Sequence, residues 1–160
     1  MKKTFMLSAS LFLLLLITHS VIAETHSYSE VRSSDPYHNI AMVGDAELVL
    51  VPSDKFEISL EGSKDQIINM VTILKNDTLF IQQTNKKDRK NSRTRILVSV
   101  NGLKALHVKG NTDVTANGYI NSDILTIKAE QGAVVNLDLK ASKVKSKTLG
   151  FNVKRSSEQR

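Results

Sequence analysis

Short β-forming segments recur at a nearly constant interval in residues 103–153, and this recurrence limits the chain to few architectures. Leu106 in "LHVK" is followed nineteen residues later by Leu125 in "LTIK", and Val144 in "VKSK" comes after another nineteen. A repeat of about 20 residues indicates one supersecondary unit that buries its apolar side against neighbouring copies. The sequence therefore predicts an all-β fold whose C-terminal half is a β-helix-like solenoid with repeats of about nineteen residues.

The sequence before residue 103 predicts β-hairpins. The segment "FEISLEG" alternates apolar and polar residues, as a half-buried strand does. Residues 71–74 and 78–82 are further β-forming segments, and Asn76 and Asp77 between them tolerate the left-handed backbone of a tight turn. Ser63 is placed to cap one or two helical turns in "SKDQIINM". Short strands with regular turns also occur in sandwiches and barrels, but the near-constant offset favours the solenoid.

Residues 1–23 have the organisation of a secretory signal peptide. Lys2 and Lys3 precede an apolar stretch that is short for a membrane span of roughly 20 residues, and "VIA" supplies small or β-branched residues before Glu24. An uncleaved membrane anchor is the alternative. No second apolar stretch of that length follows, so no transmembrane segment is expected after cleavage.

Cleavage leaves 137 of the 160 residues, enough for one domain with its own core. We predict a flexible leader at 24–39, a single β domain at 40–153 and a polar tail at 154–160. Cysteine is absent, which excludes thiol catalysis, thiolate metal sites and disulfides. An exported chain of this size without disulfides suits a bacterial envelope. The location we expect is the periplasm or the cell surface of a Gram-negative bacterium.

The basic charge is concentrated in one segment. Removing Lys2 and Lys3 with the signal peptide lowers the net charge from +6 to +4, and residues 86–95 alone contribute +5. The basic residues of this segment are Lys86, Lys87, Arg89, Lys90, Arg93 and Arg95. One interpretation is a binding loop for an anionic partner, such as envelope polysaccharide or lipopolysaccharide phosphate. The other is a solvated loop that discourages edge pairing. Nucleic acid fits poorly, because no aromatic residues are interleaved for base stacking.

Residues suited to metal binding or catalysis are scattered. His26, His38 and His107 lie far apart without ligand spacing, so no metal site or cofactor is expected. Polysaccharide-cleaving β-helix enzymes use clustered carboxylates, and stacked turns would bring acids together. The candidates are Glu57, Glu61, Asp113, Asp123, Glu130 and Asp138. Acids are also ordinary turn residues, and no positioned acid/base pair is visible, so we do not predict an enzyme. Tyr119 is the one candidate sugar platform in the repeat half, and it fits a packed turn residue equally well.

Several segments taken in order resemble a known family. They are "I-x-x-V-G-x-x-E-L-V-L" at 40–50, "VTILKNDTLFIQ" at 71–82 and "ILVSVNGLKALHVKGNTDVTA" at 96–116. Over residues 40–153 the chain resembles the putative auto-transporter adhesin, head GIN domain family. The resemblance implies an all-β, β-helix-like fold and an envelope location, with no catalytic residues to carry over. Family members often continue through further glycine- and serine-rich repeats, whereas this chain stops after the third.

The function predicted from these features is a non-enzymatic, exported cell-envelope protein that serves as an adhesin or surface-binding module. Two alternatives remain. One is a periplasmic structural or assembly module, which would form a homo-oligomer through the open β end near Val153. The other is a polysaccharide-active enzyme that uses the carboxylates of the repeat turns.

Overall fold

The computed structural model describes residues 28–84, 93–148 and 153–156, and this part of the chain is all-β apart from one short helix. In chain order the elements are β1 (Tyr28–Ser33), β2 (Asn39–Val43), β3 (Ala46–Pro52), β4 (Glu57–Gly62), α1 (Lys64–Ile68), β5 (Met70–Lys75), β6 (Thr78–Gln83), β7 (Thr94–Val100), β8 (Ala105–Lys109), β9 (Thr112–Ala116), β10 (Ile120–Glu130), β11 (Val134–Thr148) and β12 (Val153–Ser156). The predicted signal peptide lies outside the described residues. Within them, no helix has the length and apolar character needed to cross a membrane.

The strands form one curled sheet in the order β1-β4-β7-β3-β9-β11-β10-β8-β2-β6-β5, and β12 joins β11 beside this path. We call β1, β4, β7, β3 and β9 the first limb, and β10, β8, β2, β6 and β5 the second limb. Strand β11 belongs to both limbs, because Val134 and Val135 pair with β9 while residues 139–148 pair with β10. The sheet therefore folds back on itself and encloses one hydrophobic core.

Most neighbouring strands are parallel. Strand β2 pairs in parallel with β6 and β8, and β3 pairs in parallel with β7 and β9. Antiparallel pairs join β1 to β4, β4 to β7 and β5 to β6. The prediction of an all-β fold is confirmed, and the antiparallel pairs lie in the N-terminal half, where hairpins were expected.

The register shows why a single repeat length does not describe the chain. Leu125 pairs with Val144, nineteen residues on, but Leu106 pairs with Ile127, twenty-one residues on. Val135 pairs with Val153 at a separation of eighteen. A solenoid with repeats of about nineteen residues is therefore not confirmed. The sequence pattern could not separate nineteen from twenty-one, because a shift of two residues along a strand leaves the same side chains facing the core.

Two edge strands extend the fold beyond the predicted domain boundaries. Strand β1 lies within residues 24–39, where a leader was predicted, and it pairs antiparallel with β4. Residues 154–156, at the start of the predicted polar tail, belong to β12, which pairs with β11. An edge strand pairs on one side only and keeps much of its surface in water. The sequence of such a strand therefore alternates only weakly between apolar and polar residues. In β1, for example, the apolar Val31 is 64% exposed.

Tyr37, also within the predicted leader, is anchored in the core. Its ring packs edge-on against Phe56 with centroids 5.2 Å apart, and its hydroxyl donates a 2.6 Å hydrogen bond to the carbonyl oxygen of Ser99. Burial raises the pKa of the Tyr37 phenol well above its ordinary value, because the charged form would lose its hydration. The segment between β1 and β2 is therefore fixed to β7.

Helix α1 closes the N-terminal end of the core. The Ser63 hydroxyl accepts from the backbone N–H of Gln66, and the Gln66 side chain accepts from the backbone N–H of Ser63, so the predicted cap is confirmed as a capping box. Ile67, a residue of this helix, is fully buried. Nearby, Arg32 of β1 donates to the carbonyl oxygen of Met70 in β5 at 2.8 Å. This bond links the two ends of the sheet.

The predicted hairpin between β5 and β6 is confirmed. Asn76 and Asp77 have φ angles of 49° and 60°, as a tight two-residue turn requires. His38 holds this turn from the side, because its backbone N–H and its Nδ1 both lie within hydrogen-bond distance of Asp77 Oδ1. The contact with His38 lowers the pKa of Asp77.

Two buried threonines at the first limb differ in their hydrogen bonding. Thr112 Oγ1 donates to the carbonyl oxygen of Gly44 at 3.0 Å, whereas the buried Thr94 Oγ1 has no hydrogen-bond partner among the residues that the structure describes. Thr94→Val should therefore raise the free energy of unfolding by about 1 kcal/mol, since it removes an unpaired buried hydroxyl. Thr112→Val should lower it by about 1 kcal/mol, since it leaves the Gly44 carbonyl without this donor. Urea unfolding of both variants measures the two changes in the free energy of unfolding. A loss of stability in Thr94→Val would contradict an unpaired Thr94 hydroxyl.

Candidate functional site

The basic segment predicted to bind anions is only partly described by the structure. Lys86, Lys87, Arg89 and Lys90 lie outside the described residues, which resume at residue 93. Arg93 and Arg95 are described: Arg95 lies in the first limb's β7, and Arg93 comes directly before that strand. Their surroundings show how much of the segment's charge is already matched within the protein.

Arg93 contacts two carboxylates. Its Nε lies 3.4 Å from Asp45 Oδ1, and its Nη1 forms a short ion pair with Asp113 Oδ2. Asn111 also donates to Asp45 Oδ1 at 3.1 Å. Asp45 follows β2 and Asp113 lies in β9, so Arg93 links turns and strands that are distant in sequence.

Arg95 lies between two glutamates. Its Nε is 3.4 Å from Glu47 Oε1, and its Nη1 is 3.6 Å from Glu61 Oε2. The register fixes this arrangement, because Arg95 pairs with Glu61 of β4 on one side and with Glu47 of β3 on the other. Glu47 in turn pairs with Asp113.

The two arginines are therefore set among four carboxylates on the outer face of the first limb. All six side chains are between 37% and 49% exposed, so each pair contributes little to stability. The local charge is negative, with four acidic groups against two basic ones. Arg93 and Arg95 therefore already have carboxylate partners within the protein. Anion binding by the basic segment stays a prediction.

The described histidines have carboxylate partners. His107 Nε2 lies 2.8 Å from Glu130 Oε2, and Lys128 Nζ lies 3.0 Å from Glu130 Oε1. These two contacts lower the pKa of Glu130, the His107 hydrogen bond contributing most. Over the residues that the structure describes, no three His, Asp or Glu side chains are grouped closely enough to hold a metal ion. His26 lies outside those residues.

The carboxylates weighed for an enzyme do not form a common site in the described chain. Glu61 pairs with Arg95 and Asp113 with Arg93, whereas Glu130 belongs to the other limb. A cleft of ≈ 230 Å³ lies between the turns after β3 and β7 and the start of β10. Its lining residues include one acid, Asp54, whose Oδ1 accepts a 3.0 Å hydrogen bond from Asn101. One carboxylate does not supply the acid and base that glycoside hydrolysis requires.

The outer face of the second limb carries lysines that the sequence prediction did not single out. Lys109 in β8, Lys128 in β10, and Lys143 and Lys145 in β11 point away from the core. A sequence signal was present, because "HVK" and "TIK" each end in a lysine next to a buried residue and "KVKSK" places lysines at alternate positions. Their proximity depended on the register, which sequence alone did not give.

Comparison with known proteins gives one family match. The model of the family described as "Putative auto-transporter adhesin, head GIN domain" matches residues 36–153. Among curated proteins, no relative matches.

Solved structures share this fold at low sequence identity. A putative adhesin from Bacteroides fragilis superposes with a TM-score of 0.63 at 13% identity, covering 79% of this chain and 78% of that one. A putative adhesin from Parabacteroides distasonis gives 0.54 at 12% identity, covering 81% and 69%. A putative lipid binding protein from the same species gives 0.53 at 16% identity, covering 81% and 62%. At these identities the similarity establishes the fold alone.

Proposed function

The chain belongs to the putative auto-transporter adhesin, head GIN domain family, and from this we propose that it is an exported, non-enzymatic protein of the cell envelope. Its role is to bind a surface, as an adhesin or surface-binding module. The location we propose is the exterior of a Gram-negative bacterium. The parallel strands of the C-terminal half serve as a β-helix-like stack that keeps the binding surfaces rigid.

One observation carries this proposal: ionisable side chains of the described strands lie on the sheet's outer faces, in rows set by strand register. The row from Glu61 through Arg95 and Glu47 to Asp113 runs across four strands. Such rows suit broad, shallow contacts with another surface. They do not converge on a cleft where one substrate would react, and this supports binding over catalysis.

Within this proposal, the basic segment attracts anionic envelope polysaccharide or lipopolysaccharide. Lys86, Lys87, Arg89 and Lys90 supply the attraction, since Arg93 and Arg95 are matched by carboxylates of the first limb. Long-range attraction of this kind is weakened by salt, because ions screen exposed charges over about 10 Å at 0.1 M.

Reversing the charge of the segment tests this role. We expect Lys86→Glu with Lys87→Glu to weaken binding to immobilised lipopolysaccharide by roughly ten-fold at low salt, with a shallower salt dependence. Adding Arg89→Glu and Lys90→Glu should weaken it further. The measurement is equilibrium binding over a range of salt concentrations.

The matched control for the double variant is Lys55→Glu with Lys64→Glu, which makes the same charge change at exposed positions in another part of the chain. Binding by the control should fall far less than binding by the loop variant. Equal losses in both variants would mean that net charge matters and the segment does not. Unchanged binding in the loop variant would exclude the segment altogether.

A periplasmic assembly module is the second candidate, and the edge strand β12 favours it. Strand β12 pairs with β11 and lies off the main path of the sheet. An edge of this kind is able to pair with a second copy. A molecular mass that rises with protein concentration would support this candidate, and a constant monomer mass would exclude it.

A further inference from the structure

Four apolar side chains are exposed together at one end of the second limb's outer face. Val71 and Ile73 lie on β5, Phe80 on β6 and Val43 on β2, and each is between 37% and 55% exposed. Strand register places them on three neighbouring strands: Ile73 pairs directly with Phe80, whereas Val71 and Val43 pair with Gln82 of β6 from either side. We call Val43, Val71, Ile73 and Phe80 the apolar strip. A contiguous exposed group of this kind differs from singly scattered apolar residues, which need no explanation.

Lysines occupy the other end of the same face. We call Lys109, Lys128, Lys143 and Lys145 the lysine strip. Lys128 is paired with Glu130, whereas the other three have no carboxylate within 4.0 Å in the described part of the chain. Register joins the two strips directly, because Val43 pairs with Lys109.

The two strips together form one amphipathic surface. Strands in a sheet are about 4.8 Å apart, so the six strands from β5 to β11 span roughly 24 Å. We propose that this surface docks the protein onto an anionic lipid surface, with the apolar strip entering the headgroup region and the lysine strip contacting lipid phosphates. Basic residues beside buried apolar side chains are the combination by which proteins bind at anionic membrane interfaces.

The chemistry of the strip favours lipid over polysaccharide. Three of the four apolar residues are aliphatic, and aliphatic side chains match acyl chains but offer no flat face for sugar stacking. A second copy fits poorly too. A two-fold pairing of this face would place the unpaired lysines of both copies close together, and like charges across an interface are unfavourable.

Vesicle co-sedimentation tests the lysine strip. Purified protein should bind vesicles of phosphatidylcholine with phosphatidylglycerol, and should bind pure phosphatidylcholine weakly. Lys143→Glu with Lys145→Glu should weaken binding to the anionic vesicles by at least about ten-fold. Lys55→Glu with Lys64→Glu is again the charge-matched control and should bind nearly as the unmodified protein does. An equal loss in the control would overturn the assignment to this face.

The apolar strip requires a second pair of variants. Ile73→Ser with Phe80→Ser should weaken vesicle binding by at least about ten-fold and leave binding to dextran sulfate, a soluble anionic polymer, unchanged. Val31→Ser with Val134→Ser alters exposed apolar residues elsewhere on the sheet and is the control. Urea unfolding of each variant verifies that it remains folded. Unchanged vesicle binding by the variant Ile73→Ser with Phe80→Ser would overturn the lipid proposal. A dimeric mass of the unmodified protein that becomes monomeric in this variant would also overturn it.

Lipid docking by this surface goes beyond the proposed function, and different variants test the two. The loop variants of residues 86–90 test the proposed lipopolysaccharide contact, whereas the strip variants test a different face of the sheet. Loss of vesicle binding in the strip variants, with the loop variant unaffected, would establish the second surface independently. Loss in the loop variant alone would overturn the strip proposal and retain the loop.

Discussion

Gly110→Ala should lower the free energy of unfolding by at least about 3 kcal/mol. Gly110 has a φ of +106°, which costs a residue with a side chain about 1–3 kcal/mol. A Cβ at this position would also lie 2.2 Å from the carbonyl oxygen of Gly44, a backbone atom that has no side-chain freedom to move away. The clash falls where Gly44 N–H donates to Lys109 O at 3.0 Å and Gly110 N–H to Glu130 O at 3.1 Å. The substitution would therefore separate the turn between β2 and β3 from the turn between β8 and β9.

Gly118→Ala measures how much of this loss in the free energy of unfolding comes from the positive φ alone. Gly118 has a φ of +111°, nearly that of Gly110, but a Cβ there would have as its nearest neighbour Pro52 Cγ at 3.7 Å, an ordinary contact. We expect a loss of about 1 kcal/mol for Gly118→Ala. Urea unfolding of both variants gives the difference between them. Losses within about 0.5 kcal/mol of each other would contradict the close approach of the Gly110 and Gly44 turns.

Ile67→Ala has the second largest expected effect, a loss of about 3 kcal/mol. Ile67 is fully buried where α1 closes the end of the core, and truncating a buried isoleucine costs about 2–5 kcal/mol through lost burial and the remaining cavity. The next residue is an internal control. Ile68 is 65% exposed on the same short helix, so Ile68→Ala should change stability by no more than about 0.5 kcal/mol.

This pair tests whether α1 is a structural end of the core. Both substitutions replace isoleucine with alanine in the same helix, so differences in helix propensity cancel. The measured quantity is again the free energy of unfolding in urea. Similar small losses for Ile67→Ala and Ile68→Ala would mean that the helix does not close the core.

Local features of the fold were predictable from sequence because they depend on residues close together in the chain. Ser63 and Gln66 satisfy each other's backbone groups across one helical turn, and Asn76 and Asp77 adopt the left-handed backbone of the turn themselves. The edge strand β1 was missed for the opposite reason. Its stability comes from β4, which begins more than twenty residues later, and its own exposed Val31 gives no burial pattern.

The candidate sites were less predictable, because they depend on strand register. By sequence, Arg93 and Arg95 belong to a basic loop; in the fold, they lie among Asp45, Asp113, Glu47 and Glu61. The chain outside residues 86–95 is nearly neutral in sum. That sum conceals acids on the outer face of the first limb and lysines on the outer face of the second. Only the pairing of Leu106 with Ile127, and of Leu125 with Val144, brings those lysines onto neighbouring strands.

Protease treatment of intact cells, followed by fractionation, tests most directly the claim that this is an exported surface-binding protein. The account predicts digestion of the protein while periplasmic marker proteins remain intact. Protection until the outer membrane is opened would contradict a surface role and favour the periplasmic assembly module. Recovery in the cytoplasmic fraction with residues 1–23 still attached would contradict export itself.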